Sequence, residues 1–87
     1  MGKTKKFRLS PHSEPRNRAR AFLINKRNQM GITQRKLAEL LSAHRSLVSK
    51  VETGERGLDT HELIEFASVL NFSVSEYYEY ITNKVNE

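Results

Sequence analysis

Cysteine is absent from the 87-residue chain, and no apolar run approaches the length needed to cross a bilayer. Without cysteine, a disulfide framework and a thiolate metal site are both excluded. The basic start of the chain also lacks the apolar core of a signal peptide. These absences favour a small cytoplasmic protein that has no membrane partner.

Patterns typical of enzymes and metal proteins are also missing. His12, His44 and His61 share no ligand spacing, so neither a metal nor another cofactor is expected. The sequence contains no recognisable pairing of a nucleophile with a base and no glycine-rich loop that could hold a phosphate. The chain is therefore predicted to bind a partner and not to catalyse a reaction.

Positive charge lies in the first two-thirds of the sequence. The net charge is +5, but residues 57–87 carry six acids against Lys84, whereas residues 1–20 carry seven Lys and Arg against one acid. A chain that is basic on one side suits a polyanion bound on that side. We divide it into a flexible basic arm, residues 1–12, and a folded domain, residues 13–87.

Residues 33–56 have the pattern of two short helices joined by the turn Ser42–His44. The inward apolar positions recur at helical spacing in both helices: Leu37, Ala38, Leu41, Val48 and Val51. The outward positions of the second helix are polar. A helix with a valine inner edge and a donor-rich outer edge can enter the major groove of DNA.

These residues resemble the phage-repressor-like (XRE, lambda-repressor-like) helix-turn-helix family. The family pattern is matched at Thr33, Gln34, Leu37, Ala38, Val48, Val51, Glu52, Gly54 and Arg56. The resemblance extends over residues 19–78 and implies an all-α, compact five-helix domain with the helix-turn-helix at helices 2–3. Ser42 stands where the family usually carries glycine; if this position must be left-handed, serine costs about 1 kcal/mol relative to glycine.

Three further helices are predicted around this pair. Helix one should begin near Ser13 and end at Gly31, because a serine cap opens it and a glycine closes it. Helix four should begin after Asp59, and its expected core face is Leu63, Ile64, Ala67 and Leu70. Helix five should follow Ser73, with an apolar stripe of Val74, Tyr77, Tyr78, Ile81 and Val85.

The predicted DNA contacts fall into two groups. Base reading is assigned to the outer edge of helix three, because recognition helices read bases mainly from their N-terminal turns: Arg45, Ser46, Ser49 and Lys50. Phosphate contacts are assigned to helix ends, the loop after helix three, and the arm: Thr33, Gln34, Arg35, Thr53, Arg56, Lys3, Lys5 and Lys6. For Arg35 and for the arm lysines, simple solvation is an equal alternative.

The resemblance also implies two structural roles. Arg27 lies on the apolar side of helix one, and the family pairs the Arg at this place with the residue matched here by Glu52. Helix five often builds a two-fold dimer in the family, which would place Tyr77, Tyr80, Ile81 and Lys84 at an interface. The alternative is that most of these tyrosines complete the core of the monomer.

The resemblance implies a sequence-specific regulator, a repressor that binds double-stranded DNA at a palindromic operator as a homodimer. Its source would be a bacterium or a phage, and its place the nucleoid. One alternative is the antitoxin of a toxin–antitoxin pair, whose acidic half, residues 57–87, would face a toxin protein. Another is a protein-interaction module that has lost DNA binding. Steep weakening of binding by salt would favour DNA over a protein partner.

Overall fold

The computed structural model describes residues 14–82, which form five α-helices and no β-strand. The helices are α1 Glu14–Gln29, α2 Gln34–Leu41, α3 Arg45–Thr53, α4 Thr60–Leu70 and α5 Val74–Thr82. The prediction of an all-α, five-helix domain is therefore confirmed. Ser13, expected to cap α1, lies outside the described residues. Gly31 follows the end of α1 with φ of 70°, as a helix-ending glycine does.

Side-chain caps set the starts of three helices. Thr33 Oγ1 accepts a hydrogen bond from the Lys36 amide at 3.0 Å at the start of α2. At the start of α4, Asp59 accepts from the Glu62 amide at 2.8 Å, and Glu62 accepts from the Asp59 amide at 3.0 Å. Ser73 likewise accepts an amide hydrogen bond in the first turn of α5. Each cap satisfies backbone N–H groups that have no partner inside the helix.

The core lies where all five helices meet. α1 packs against α3 and α5, while α2 packs against α3 and α4. The buried apolar residues come from every helix but α5, together with one residue of the turn between α4 and α5: Phe22, Leu23, Leu37, Ala38, Val48, Val51, Phe66, Ala67, Leu70 and Phe72. Burial of this apolar surface is the main stabilising contribution in so small a domain.

The predicted core face of α4 was wrong at one position. Ile64 is 55% exposed, whereas Phe66, which the prediction omitted, is 2% exposed. The helix is apolar over most of its circumference, so sequence spacing permits two overlapping faces. Packing against α2 and α5 selects the face that contains Phe66. In α5, Val74 and Tyr78 are also exposed, so these two residues of the predicted apolar stripe do not belong to the core.

The turn between α2 and α3 depends on a left-handed serine. Ser42 has φ of 56° and ψ of 44°, as expected for a position that usually holds glycine. Its amide donates to the Glu39 carbonyl at 3.1 Å, and the Ala43 amide donates to the Ala38 carbonyl at 2.9 Å. The backbone therefore closes this turn, with no contribution from the serine hydroxyl among the described contacts. A Cβ in this conformation costs about 1–2 kcal/mol relative to the right-handed form.

Replacing Ser42 with glycine is expected to raise the free energy of unfolding. Glycine removes the strain of the Cβ, while its greater freedom in the unfolded chain offsets part of the gain. We expect a net gain of about 0.5–1 kcal/mol, measured by urea denaturation followed by circular dichroism. Ser46→Gly, in the exposed first turn of α3, is the control and should destabilise. A loss of stability in Ser42→Gly would contradict the interpretation.

Candidate nucleic-acid interface

One side of α3 is buried in the core, and the opposite side is exposed to solvent. Val48 is fully buried and Val51 is 3% exposed, and both belong to the core cluster. On the opposite side, Arg45 and Lys50 are exposed. Lys50 follows Val48 by two positions and precedes Val51 by one, so the helical repeat turns it away from the core, and Arg45 is the first residue of the helix. The helix therefore offers charged donors on an accessible edge.

The two serines predicted to read bases differ in accessibility. Ser46 is exposed in the first turn of α3, next to Arg45, whereas Ser49 is half-buried one turn later. Leu47, between them, packs against the core cluster. The four predicted base-reading residues thus lie along one edge, and Ser49 is the least accessible of them. We call this set of four the reading edge: Arg45, Ser46, Ser49 and Lys50.

An open depression of about 540 Å³ lies between the N-terminal ends of α2 and α3. It is lined by Arg27, Thr33, Gln34, Arg35 and Arg45. Arg35 and Arg45 therefore lie where the first amides of α2 add the partial positive charge of a helix N-terminus, while Arg27 is paired with Glu52. This combination is suited to a phosphate group, which guanidinium forks and free amides bind through several hydrogen bonds.

A hydrogen-bonded ion pair lies behind this depression. Arg27 Nε donates to Glu52 Oε2 at 2.6 Å, and Arg27 Nη2 donates to Glu52 Oε1 at 3.0 Å. Gln34 Nε2 donates to the same Oε1 at 2.9 Å. Arg27 Nη1 also donates to the Ile32 carbonyl at 2.8 Å. The Glu52 carboxylate, with a side chain only 7% exposed, thereby joins α1, α2 and α3.

The Gln34 side chain joins the start of α2 to α3. Its amide group is bonded to Glu52, while its backbone N–H belongs to the first turn of α2. The side chain orients the helix end, and the backbone remains the group suited to phosphate. Arg35, the next residue, is exposed and lines the depression. The network thus fixes the relative position of the two helix ends that carry the predicted DNA contacts.

Arg56, predicted to contact phosphate, is paired with an acid. Arg56 Nη1 and Nη2 donate to the two carboxylate oxygens of Glu62 at 2.9 and 2.8 Å. These bonds, followed by the bond from the Asp59 amide, lower the pKa of Glu62 from an ordinary 4.5 to about 2. The Arg56–Glu62 pair connects the loop after α3 to the first turn of α4. Arg56 can still approach a phosphate through its exposed face.

This pKa shift predicts a dependence of stability on pH. Because the pKa of Glu62 is lower in the folded chain, its contribution is complete above about pH 4.5 and is lost as the pH falls towards 2. Glu62→Gln keeps a side chain that can cap α4, but it loses the charge. We expect a loss of about 1 kcal/mol at pH 7, because the pair is partly exposed to solvent.

Thermal unfolding at several pH values would measure this difference. The gap between wild type and Glu62→Gln should be constant from pH 7 to pH 5 and should close near pH 2. Glu65→Gln is the matched control, since its carboxylate faces only the exposed His61 at 3.9 Å. A gap that stays the same down to pH 2 would show that the charge of Glu62 is not its cause.

Two arginines of α1 lie at the C-terminal end of α3. The sequence pattern assigned them no site. Arg20 Nη1 donates to the Thr53 carbonyl at 3.3 Å, and Arg16 Nη2 donates to the Gly54 carbonyl at 3.3 Å. Gly54 has φ of 89°, and a Cβ there would lie 3.0 Å from Arg20 side-chain atoms. The four-residue spacing of Arg16 and Arg20 was the available signal, since it places both on one face of a helix.

The residues predicted for a dimer interface are divided between core and surface. Tyr77 is half-buried and packs against Phe22, with ring centroids 5.4 Å apart. Tyr80 also contacts the Phe22 ring at 5.3 Å but is 42% exposed, and Ile81 is half-buried. Tyr77 therefore contributes to the monomer core, and Tyr80 is the more accessible tyrosine.

Some predicted residues lie outside the part of the chain that the structure describes. These are Lys3, Lys5, Lys6 and Lys84. Within residues 14–82, no cluster of His, Asp or Glu side chains is arranged to hold a metal ion. None of the helices in that range combines the length and apolar character needed to span a bilayer.

Comparison with protein families adds one positive finding. A family model described as "Helix-turn-helix" matches residues 23–77, which is more than half of the chain. The matched range begins inside α1 and ends inside α5, so it contains the whole of α2, α3 and α4. No curated protein matches the chain.

Proposed function

The chain belongs to the XRE, lambda-repressor-like helix-turn-helix family of DNA-binding regulators, and we propose that it is a sequence-specific repressor that binds a palindromic operator. The observation that supports this most directly is the reading edge, where Arg45 and Lys50 are exposed on a helix anchored by Val48 and Val51. A major groove accepts one helix, and Arg or Lys can donate to guanine O6 and N7. The chain thus supplies both the shape and the donors for base readout.

Phosphate contacts in this proposal surround the reading edge. The depression beside it carries Thr33, Gln34 and Arg35, and the loop after α3 carries Thr53 and Arg56. Contacts to phosphates set the register of a protein on DNA, whereas contacts to bases specify the sequence. We assign Lys3, Lys5 and Lys6 of the arm to phosphates as well, on the basis of their charge alone.

We further propose that two copies bind together. Two-fold symmetric dimers place two recognition helices about one turn of DNA apart, and this raises both affinity and discrimination. The exposed side chains of α5, among them Tyr78 at 62% and Tyr80 at 42% exposure, support an interface on this helix. We assign Ile81 and Lys84 to the same interface on the basis of the sequence alone. Such a regulator would act on the nucleoid in the cytoplasm of a bacterium, or on phage DNA.

In-vitro selection from random duplexes, followed by affinity measurements over a range of salt, tests this function. A palindromic consensus is expected, with two chains of 10.1 kDa per selected duplex by light scattering. The logarithm of the affinity should fall with the logarithm of salt concentration with a slope of about −4 or steeper if four or more phosphates are neutralised. Binding to a protein partner that is insensitive to salt, together with no selected sequence, would reject the proposal.

A further inference from the structure

A second cavity, of about 200 Å³, lies among α1, the loop after α3 and α5. Arg16 and Arg20 come from α1, Arg56 from the loop, and Tyr77 from α5. Its apolar wall is formed by Ala19, Leu23, Val51 and Leu58. No residue of the reading edge lines it. The cavity is therefore separate from the proposed surface for base readout.

Positive charge is concentrated around this cavity. Arg56 is balanced by Glu62, but Arg20 forms no ion pair with any acid of residues 14–82. The Nε atom of Arg20 is buried and has no hydrogen-bond partner in the described part of the chain. Arg20 is half-buried as a whole, and its Nη2 also donates to the Asn17 side chain. Where water is partly excluded from a guanidinium, the absence of a counter-charge is costly. An anion in the cavity would supply that counter-charge.

The arrangement of the arginines fits an oxyanion. Arg16 and Arg20 each donate to a carbonyl at the end of α3, and these contacts hold both guanidiniums in place. Arg20 donates through Nη1 to Thr53 and through Nη2 to Asn17, which leaves one further N–H on each of these two nitrogens, and its planar fork matches the oxygens of a phosphate. Arg20 can therefore donate to an oxyanion in the cavity, and Arg16, one turn away on the same helix, adds a second positive charge to the lining.

Tyr77 adds a neutral donor to the same cavity. Its side chain is half-buried, and burial raises the pKa of its hydroxyl, while the charge of Arg16 acts in the opposite direction. The phenol is therefore protonated at neutral pH and can donate to an anion. Its ring is fixed by the packing against Phe22 and Phe72, and the residue lines the same cavity as Arg16 and Arg20.

We propose that this cavity is a binding site for a phosphate-class oxyanion, held by Arg16, Arg20 and the Tyr77 hydroxyl, with Arg56 at its edge. The oxyanion can come from a free phosphate compound or from the backbone of bound DNA, and the chemistry of recognition is the same. The free form would bind without DNA, and its site would connect α1, the end of α3 and α5. The backbone form would extend the proposed contacts to phosphate.

Titration of the full chain with inorganic phosphate, in a buffer free of other oxyanions, tests the site without DNA. The amide resonance of Gly57, which lines the cavity, should shift and saturate. Arg20→Gln should weaken the response at least tenfold. Arg35→Gln, which removes an equal charge from the other depression, should change it less than twofold. Tyr77→Phe removes only the hydroxyl and should weaken binding two- to fivefold. Because the ring that packs in the core is kept, the variant should fold as the wild type does.

A second measurement distinguishes the two sources. If free phosphate does not bind, Arg20→Gln should reduce the salt slope of DNA binding by about one unit, equally for selected and unrelated duplexes. Either result supports the site and identifies the source of the oxyanion. The proposal is overturned if Arg20→Gln alters neither response, or if Arg35→Gln abolishes the phosphate response as completely. If no operator sequence is selected, the proposed function fails, but the titration with free phosphate still tests the cavity independently.

Discussion

Replacing Arg45 with alanine is expected to weaken binding to the selected operator by about 10- to 100-fold and to relax preference at one base position. The exposed guanidinium lies in the first turn of α3, beside the depression proposed for phosphate. An Arg that donates to guanine O6 and N7 contributes discrimination that alanine cannot replace. Lys50→Ala should relax a second position, one turn further along the same edge. Affinity measured on a panel of single-base operator variants would reveal both effects.

The comparison with Arg35 separates base readout from a general effect of charge. Arg35→Ala removes the same charge from the same depression, but its proposed partner is a phosphate. Affinity should therefore fall by a similar factor on every duplex, with a salt slope smaller by about one. Lys36→Ala, outside the depression, should leave base preference unchanged. If Arg45→Ala and Lys50→Ala weaken all duplexes equally, the reading edge has been assigned to the wrong residues.

Replacing Glu52 with glutamine is expected to lower the free energy of unfolding by about 3–5 kcal/mol, because Arg27 would keep a charge that has lost its counter-charge. The side chains of Arg27 and Glu52 are only 15% and 7% exposed, so water cannot substitute for the missing carboxylate. The same change weakens the contact with Gln34. In a domain of this size, the loss corresponds to a fall in Tm on the order of 20 °C.

Two further variants show whether the buried charge is the cause. Glu55→Gln removes an exposed acid three residues away and should change the free energy of unfolding by less than about 0.5 kcal/mol. The double variant Arg27→Met with Glu52→Leu removes both charges and should recover most of the lost stability, since paired apolar replacements are often nearly neutral. A double variant that is less stable than Glu52→Gln would argue that the hydrogen bonds, and not the charge, are the dominant contribution.

Local sequence signals were sufficient where the cause is local. The capping box of Asp59 and Glu62 and the left-handed conformation of Ser42 both depend on residues within a few positions of one another. The alternation of Val48 and Val51 with polar neighbours likewise follows from the helical repeat. These features could therefore be predicted before any tertiary contact was known.

Long-range placement could not be inferred in the same way. Residues of α4 that are equally apolar compete for the core, and only the positions of α2 and α5 made Phe66 buried and Ile64 exposed. Arg16 and Arg20 were counted only as charge, because nothing near them in sequence indicates the carbonyl end of α3, more than thirty residues away.

The amino-acid sequence by itself determined the helices, their caps and the outward-facing edge of α3, because each depends on periodicity and on neighbours along the chain. The Arg27–Glu52 pair was expected from the family resemblance, but only the tertiary structure decided the partners of Arg56 and Arg20. Arg27 and Arg56 each contact a carboxylate, whereas Arg20 lies against the end of α3 and pairs with no acid of the described helices and loops. The physical reason is that a charge is balanced by its neighbours in space, and those neighbours are assigned when the helices pack.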